Sequence, residues 1–280
     1  MNNRFREGEE IIKDTEKGAA ELALDVSYSL LELDEAEAEN YLKKVIEGRY
    51  TMTPLLNLAN RVFLSMERDE NLDQRITTEI RWLENAPREA SKNMKTILRD
   101  SGYNKICTLS YSSTVIRSLS QIDKVHILES RPLMEGRKTA EKLVGKGVDV
   151  HLWTDASMSK ALSNSDAVVL GADSLSINGF VNKIGSYPLT LTAMENGIPV
   201  YVVCDTSKVL PERLPISHSE LHDQDEVWKT SLDIKIHNDY FELSSWKGEK
   251  LVTENGLEDI SYELFDKELS DMLLEYHPMV

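Results

Sequence analysis

Three polar stretches, each ending an apolar run, hold the residue types that could do chemistry. The first is GADSLSINGFVNKIGSY, residues 171–187, which sets Asp173, Asn182 and Lys183 among glycines. An acid, a carboxamide and an ammonium group at one junction suit an oxygen-rich ligand, with the acid available for proton transfer. A lone aspartate in such a place also serves as a cap, and Asn178-Gly179 reads as a turn pair. The second stretch, TLSYSSTVIRSL, passes through Ser112, Ser113 and Thr114 into a helical pattern. Free backbone N–H groups with hydroxyls there form either an anion cradle or an ordinary Ser/Thr cap. In the third, ESRP (Glu129 to Pro132), the proline holds Arg131 extended. Its guanidinium then either forks a phosphate or pairs with Glu129 or another acid.

The elements that must position these residues change character near residue 100. From Asp14 to about Arg99 no period-2 strand stands out. Leu55, Leu58, Val62 and Phe63 recur at helical spacing, as do Ile80 and Leu83 and then Met94, Ile97 and Leu98. From Lys105 onward come short, nearly continuous apolar runs: KICTLSY, KVHILE, VDVHLW, DAVVLG and IPVYVVC. Helical patterns such as GRKTAEKLVGKG and PLTLTAMENG lie between them. Strands buried on both faces by crossover helices read this way. The expected fold class is α/β, with an all-helical domain over 1–100. A doubly wound, Rossmann-like, mostly parallel sheet over 101–280 follows it. In such sheets ligands bind beyond the carboxyl ends of the strands, where the three polar stretches converge. DIKIHND and KLVTE are weaker strand candidates, and a single C-terminal helix is expected from about Tyr262 to Tyr276, packed on the sheet.

Composition narrows the class of function. With 280 residues and 41% hydrophobic content the chain can bury more than one core. A formal net charge of −16 argues against nonspecific nucleic-acid binding, which needs a basic surface. No run of 18 apolar residues suggests a membrane span, and the start MNNRFREGEE is too charged for a signal peptide. The expectation is a cytoplasmic protein with no membrane or nucleic-acid partner. Cys107 and Cys204 both lie in apolar runs, so buried free thiols are expected rather than a disulfide.

Other residues offer less. His218 and His222 stand four apart beside Asp223, but in an irregular acidic stretch where solvated histidines are expected rather than a metal site. His126 and His151 sit within strand patterns. Neither a G-x-S-x-G elbow nor a glycine-rich phosphate loop is present, so no hydrolase triad, nucleoside triphosphate or dinucleotide is indicated, and no metal or cofactor is expected.

The combination of ESRP, GADSLSINGFVNKIGSY and YVVCDTSK resembles the family of the α, β and δ subunits of translation initiation factor 2B. That family also contains ribose-1,5-bisphosphate isomerase and methylthioribose-1-phosphate isomerase. The likeness runs from about Asp14 to Gly256 and includes the N-terminal helical domain. In the isomerases an acid at the GAD position works with a cysteine in a turn that reads like T-H-C-H-S. The resemblance therefore assigns catalytic positions to Asp173 and Ser110, but with serine where the cysteine stands. Cys107 falls three residues too early. A hydroxyl is far less acidic than a thiol, whose pKa is about 8.5, so proton transfer through Ser110 is disfavoured.

The same resemblance assigns ligand or phosphate contacts to Lys17, Gly18, Ala19, Arg49, Ser112, Ser113, Thr114, Asn182, Lys183 and Lys208, to which the residues themselves add Arg131. Lys17 replaces an arginine, Arg49 precedes Tyr50 rather than a proline, and the segment from Asp173 to Asn182 is one residue shorter than usual. The family pattern implies a regulatory protein that binds a sugar phosphate or nucleoside monophosphate between its domains. It would form a homodimer or higher oligomer through the α/β part, with initiation factor 2 as a further candidate partner. The alternative it implies is an aldose–ketose isomerase acting on a sugar phosphate.

Overall fold

The computed structural model describes residues 5–14, 17–216 and 222–280. Five helices open the chain: α1 (Gly8–Lys13), α2 (Ala19–Leu30), α3 (Glu35–Arg49), α4 (Thr53–Glu67) and α5 (Leu72–Asp100). Their starts are chemically marked. The Asp34 carboxylate accepts from Glu37 N–H at 2.9 Å and Glu37 returns the bond to Asp34 N–H at 3.0 Å, a closed capping box before α3. Asn71 caps α5 by accepting from Gln74 N–H at 2.8 Å. Leu22, Val26, Leu42, Ile46, Leu55, Leu58, Phe63 and Ile76 form one buried core between these helices.

The sheet strands are β1 (Lys105–Leu109), β2 (Lys124–Leu128), β3 (Asp149–Trp153), β4 (Ala167–Leu170), β7 (Val200–Val203), β9 (Lys250–Thr253) and β10 (Gly256–Glu258). They are ordered β10-β9-β7-β4-β1-β2-β3, and only β10 is antiparallel to its neighbour. The chain thus winds outward from β1 to β3, returns to lay β4 against the other side of β1, and winds outward again. That reversal is the topological switch point. Helices α6 (Ser113–Ser118) and α7 (Glu135–Val144) cover one face, where Val115, Ile116 and Leu143 share a core with Ala90, Met94 and Leu98 of α5. Helices α8 (Met158–Leu162) and α9 (Ser186–Glu195) cover the other, through Ala161, Leu162, Leu189 and Ala193. Helix α5 therefore serves the helical core at its start and the sheet at its end.

A second, antiparallel sheet of β5 (Ser174–Ser176), β6 (Gly179–Lys183) and β8 (Phe241–Ser245) stands beside the first. It holds the residues of the first polar stretch. The turn is one residue earlier than its sequence suggests. Ser176 pairs with Gly179, so Ile177 and Asn178 form the loop and Gly179 opens β6. A side chain at Gly179 would meet the Ser244 carbonyl of β8 at 2.2 Å, so the close approach of that strand demands glycine.

Two other expectations are corrected. DIKIHND forms no strand. Ile234 is exposed there and Ile236 is only half-buried, leaving no buried face to select a pairing, and the strand begins later, at Phe241. The expected helix over 262–276 is two helices, α10 (Tyr262–Phe265) and α11 (Asp271–Tyr276). Phe265 is buried in the sheet core whereas Leu269 and Leu273 are buried in the helical core, so the chain must break to cross between them. α11 consequently packs on α3 and α4 rather than on the sheet. KLVTE does form a strand, β9.

Candidate functional site

The ends of β1 and β4, neighbours at the switch point, build the centre of the site. After β4, Gly171 passes so close to Ser112 that a Cβ there would lie 3.0 Å from the Ser112 Cβ and Oγ. This glycine lets the GAD turn and the serine turn share one floor. Asp173 follows, tied by its N–H to the Val181 carbonyl at 2.8 Å. Its carboxyl is crowded by protein on most sides but still touched by solvent. Burial raises its pKa above the ordinary aspartate range. The Lys208 charge opposes that rise, Glu135 adds to it and Lys183 opposes it. No hydrogen bond or ion pair to another described residue engages the carboxylate, which is left unpartnered.

Lys183 and Lys208 both lie close enough for their charges to act on that carboxyl. Lys183, on β6, is 1% exposed; its Nζ lies 3.0 Å from Glu135 Oε1 and 4.8 Å from the centre of the Tyr240 ring. Lys208 ends a short turn after β7, and its Nζ donates to the Ala172 carbonyl, one residue before Asp173. Asn182 is buried beside Lys183 and spends its amide on the local turn. Its Nδ2 donates to Ser186 Oγ at 2.9 Å, and Ser186 Oγ donates to the Lys183 carbonyl at 2.6 Å. Gly185, at φ 101°, then lets the chain enter α9, whose first N–H groups are met by Glu242 Oε1 at 2.7 Å (Gly185) and 2.9 Å (Tyr187).

On the β1 side, Ser110 stands immediately after the strand in the left-handed region, at φ 64°. Its N–H donates to Ser130 Oγ at 2.7 Å and its carbonyl accepts from Thr139 Oγ1 at 2.7 Å, so the turn after β2 and helix α7 hold it in that conformation. Ser112 is the cap of α6, accepting from Val115 N–H at 3.3 Å; Ser113 is exposed and Thr114 is buried. Cys107 lies inside β1 in the core, where burial pushes its thiol up to about 12, and Cys204, likewise buried, is also raised.

Arg131 lies exposed in the loop after β2. Its peptide bond to Pro132 is cis, its N–H donates to Asp155, and its guanidinium donates to the Val227 carbonyl at 3.0 Å. Glu129 pairs with Arg137 at 3.1 Å instead.

Lys17 and Arg49 belong to a charged network in the helical half. Lys17 Nζ is 2.5 Å from Asp25, and Arg49 Nη2 donates to the Asp14 carbonyl at 2.6 Å. No hydrogen bond joins either to the Asp173 group, and Gly18 and Ala19 sit at the start of α2. The helical half instead reaches the site through α4. Thr53 Oγ1 donates to Ser174 Oγ at 2.7 Å, and Asn57 Nδ2 donates to the Ser207 and Val209 carbonyls at 2.6 and 2.7 Å.

Glu135, Tyr240 and Glu242 have no signal in the sequence stretches that read as functional. Glu135 lies three residues past ESRP, and the other two lie in the irregular stretch after residue 205. His222 stacks on Tyr240 with ring centres 3.4 Å apart, while its neighbour His218 lies outside the described residues. Among the described residues, no cluster of three metal-binding side chains occurs and no helix is long and apolar enough to cross a membrane. His126 is buried in β2 and accepts from Trp153 Nε1 at 3.0 Å.

Comparison with known proteins gives the family. Residues 9–256 match the model of the initiation factor 2 subunit family. A translation initiation factor eIF-2B subunit 2-like protein of Pyrococcus horikoshii is 30% identical over 89% of this chain and 93% of its own length. Ribose 1,5-bisphosphate isomerase of Methanocaldococcus jannaschii is 27% identical over 91% of this chain and 88% of its own. The crystal structure of the P. horikoshii OT3 translation initiation factor eIF-2B superimposes with a TM-score of 0.74 at 29% identity, covering 89% of this chain and 94% of that one. With a strand order that reverses between β1 and β4 and a GAD turn at that reversal, the chain belongs to the initiation factor 2 subunit family.

Proposed function

We propose that this chain is a binding and regulatory protein of that family, taking a sugar phosphate or nucleoside monophosphate in the recess around Asp173, Lys183 and Lys208. The observation that carries this reading is the placement of the thiols. Both cysteines are buried in the sheet core with raised pKa values, and the residue that follows β1, where the family resemblance expects a cysteine, is Ser110. Two ammonium groups and an unpartnered carboxyl can hold a ligand, while both thiols of the chain, buried and raised in pKa, are poorly suited to relay a proton with Asp173. In this reading the helical domain over 1–100 closes one side of the ligand and the α/β domain over 101–280 the other. Lys17, Gly18, Ala19 and Arg49 lie toward the rim, and Asn182 with Ser112–Thr114 shapes the floor. The protein would work in the cytoplasm as a homodimer or higher homo-oligomer, with initiation factor 2 as its candidate macromolecular partner.

Two measurements test it. Ribose phosphates or AMP at about 100 times their Kd are expected to stabilise the fold by roughly 2.7 kcal/mol. Ribose-1,5-bisphosphate is expected to remain unconverted by the wild-type chain and by S110C. Sustained formation of the ketose product, abolished by D173A, would refute the regulatory reading.

The second reading is a sugar-phosphate isomerase. The Asp173 carboxyl favours it, being half-buried, raised in pKa and free of partners, as a proton-transferring acid needs to be. A large gain of turnover in S110C would select this reading.

A further inference from the structure

The Lys183 ammonium is buried, so it must have a counter-charge. Glu135, the first residue of α7, supplies it through Oε1 at 3.0 Å. The other oxygen of that carboxylate, Oε2, is buried and accepts no hydrogen bond from the described residues. A buried carboxylate oxygen left unfilled costs the desolvation of a charged acceptor, so this one is suited to receive a donor from a ligand.

The charges around the recess set what that donor can belong to. Lys183 and Lys208 bring two positive charges; Asp173 and Glu135 bring two negative ones. Behind them Glu226 holds the Tyr240 hydroxyl whose ring lies against Lys183, adding a further acid on that side. No cation is left in surplus at the Lys183 end. A phosphate placed there, carrying about −1.5 to −2, would have to displace Glu135 from Lys183 and then face both carboxylates. A hydroxyl meets no such obstacle: its O–H donates to Oε2 while its oxygen accepts from Lys183 Nζ.

We infer that the Glu135–Lys183 pair is a hydroxyl-binding subsite that selects ligands bearing one phosphate and rejects sugar bisphosphates. The inference rests on the reading above that the recess takes a phosphorylated sugar or nucleotide. It assigns Glu135 the role of a specificity-determining residue and places the single phosphate at the far end of the ligand from Lys183.

Calorimetric titration of the full chain with α-D-ribose 1-phosphate, ribose 5-phosphate and ribose 1,5-bisphosphate tests it. The wild type is expected to bind at least one monophosphate about tenfold or more tightly than the bisphosphate, a difference of about 1.4 kcal/mol. In E135Q, which keeps the shape and removes the charge, the bisphosphate is expected to gain about tenfold relative to the same monophosphate. Tighter binding of the bisphosphate by wild type, or an unchanged ratio in a folded E135Q, overturns the inference while leaving the pocket intact. Failure of all three ligands to bind the wild type would bring down the pocket reading itself, and this inference with it. If E135Q does not fold, the wild-type ratio decides alone.

Discussion

Thr53, the first residue of α4, donates its hydroxyl hydrogen to Ser174 Oγ at 2.7 Å, and Ser174 is the residue after Asp173. Both side chains are buried, so the helical half is fastened to the strand end that bears the acid, 121 positions away in the chain. One turn further along α4, Asn57 satisfies the carbonyls of Ser207 and Val209 on either side of Lys208. α4 positions both the Asp173 turn and the Lys208 turn.

Replacement of Asn57 by Ala would leave two buried carbonyls without donors. The expected cost is about 1–3 kcal/mol, read as a drop in Tm of about 2–4 °C for each kcal/mol in a chain of this size. Because the Lys208 turn loosens at the same time, the stabilisation given by ribose phosphates should fall as well. An Asn57→Ala protein with unchanged Tm and unchanged ligand response would show that α4 does not brace the site.

Asp173 makes stability depend on pH in a definite direction. Its folded pKa lies above its unfolded value, so the folded state holds the proton more tightly. Its contribution is most favourable below the ordinary aspartate pKa of about 4 and is lost as pH rises through the raised folded value. D173N, which cannot ionise, should therefore raise Tm near pH 7, and the gain should shrink toward pH 4. Thermal unfolding across that range is the check, and a variant less stable than wild type at pH 7 would contradict it.

The left-handed backbone of Ser110 predicts a split between two substitutions. Ser110→Gly removes the Cβ that disfavours φ 64° and is expected to be neutral or slightly stabilising, whereas Ser110→Val should cost about 1–3 kcal/mol. Urea unfolding of the pair measures it. Equal stability of the two variants would mean that the backbone relaxes out of this conformation.

Cys107 and Cys204 should not react with an aromatic disulfide reagent while the protein is folded. Burial keeps both thiols protonated and out of solvent. Release of two thiols is expected only on unfolding in guanidinium. Fast labelling of either in the native protein would reopen the question of a thiol near Asp173.

How much of this was legible in the sequence follows from the range of the forces involved. The strand runs around Cys107, Ile127, Val169 and Val202 announced themselves because strands covered on both faces must be apolar at nearly every position. The helical spacing of Leu55, Leu58 and Val62 was equally plain. From that alternation the doubly wound sheet followed, and with it the convergence of the Ser110–Thr114 and Gly171–Lys183 turns at the strand ends. The residue motifs carried the family. What local pattern could not supply was any pairing between distant segments. Lys183 is neutralised by Glu135 from 48 positions away, and α9 is capped by Glu242 from 57 positions away. Neither acid differs in its own neighbourhood from the many other acids of this chain. Arg131 shows the same limit: its local setting left a phosphate or an acid as partners, and only the path of the loop brings the Val227 carbonyl to its guanidinium. The single C-terminal helix failed for a related reason. Its apolar residues belong to two cores, and only the packing of the helical half against the sheet decides which core each one enters.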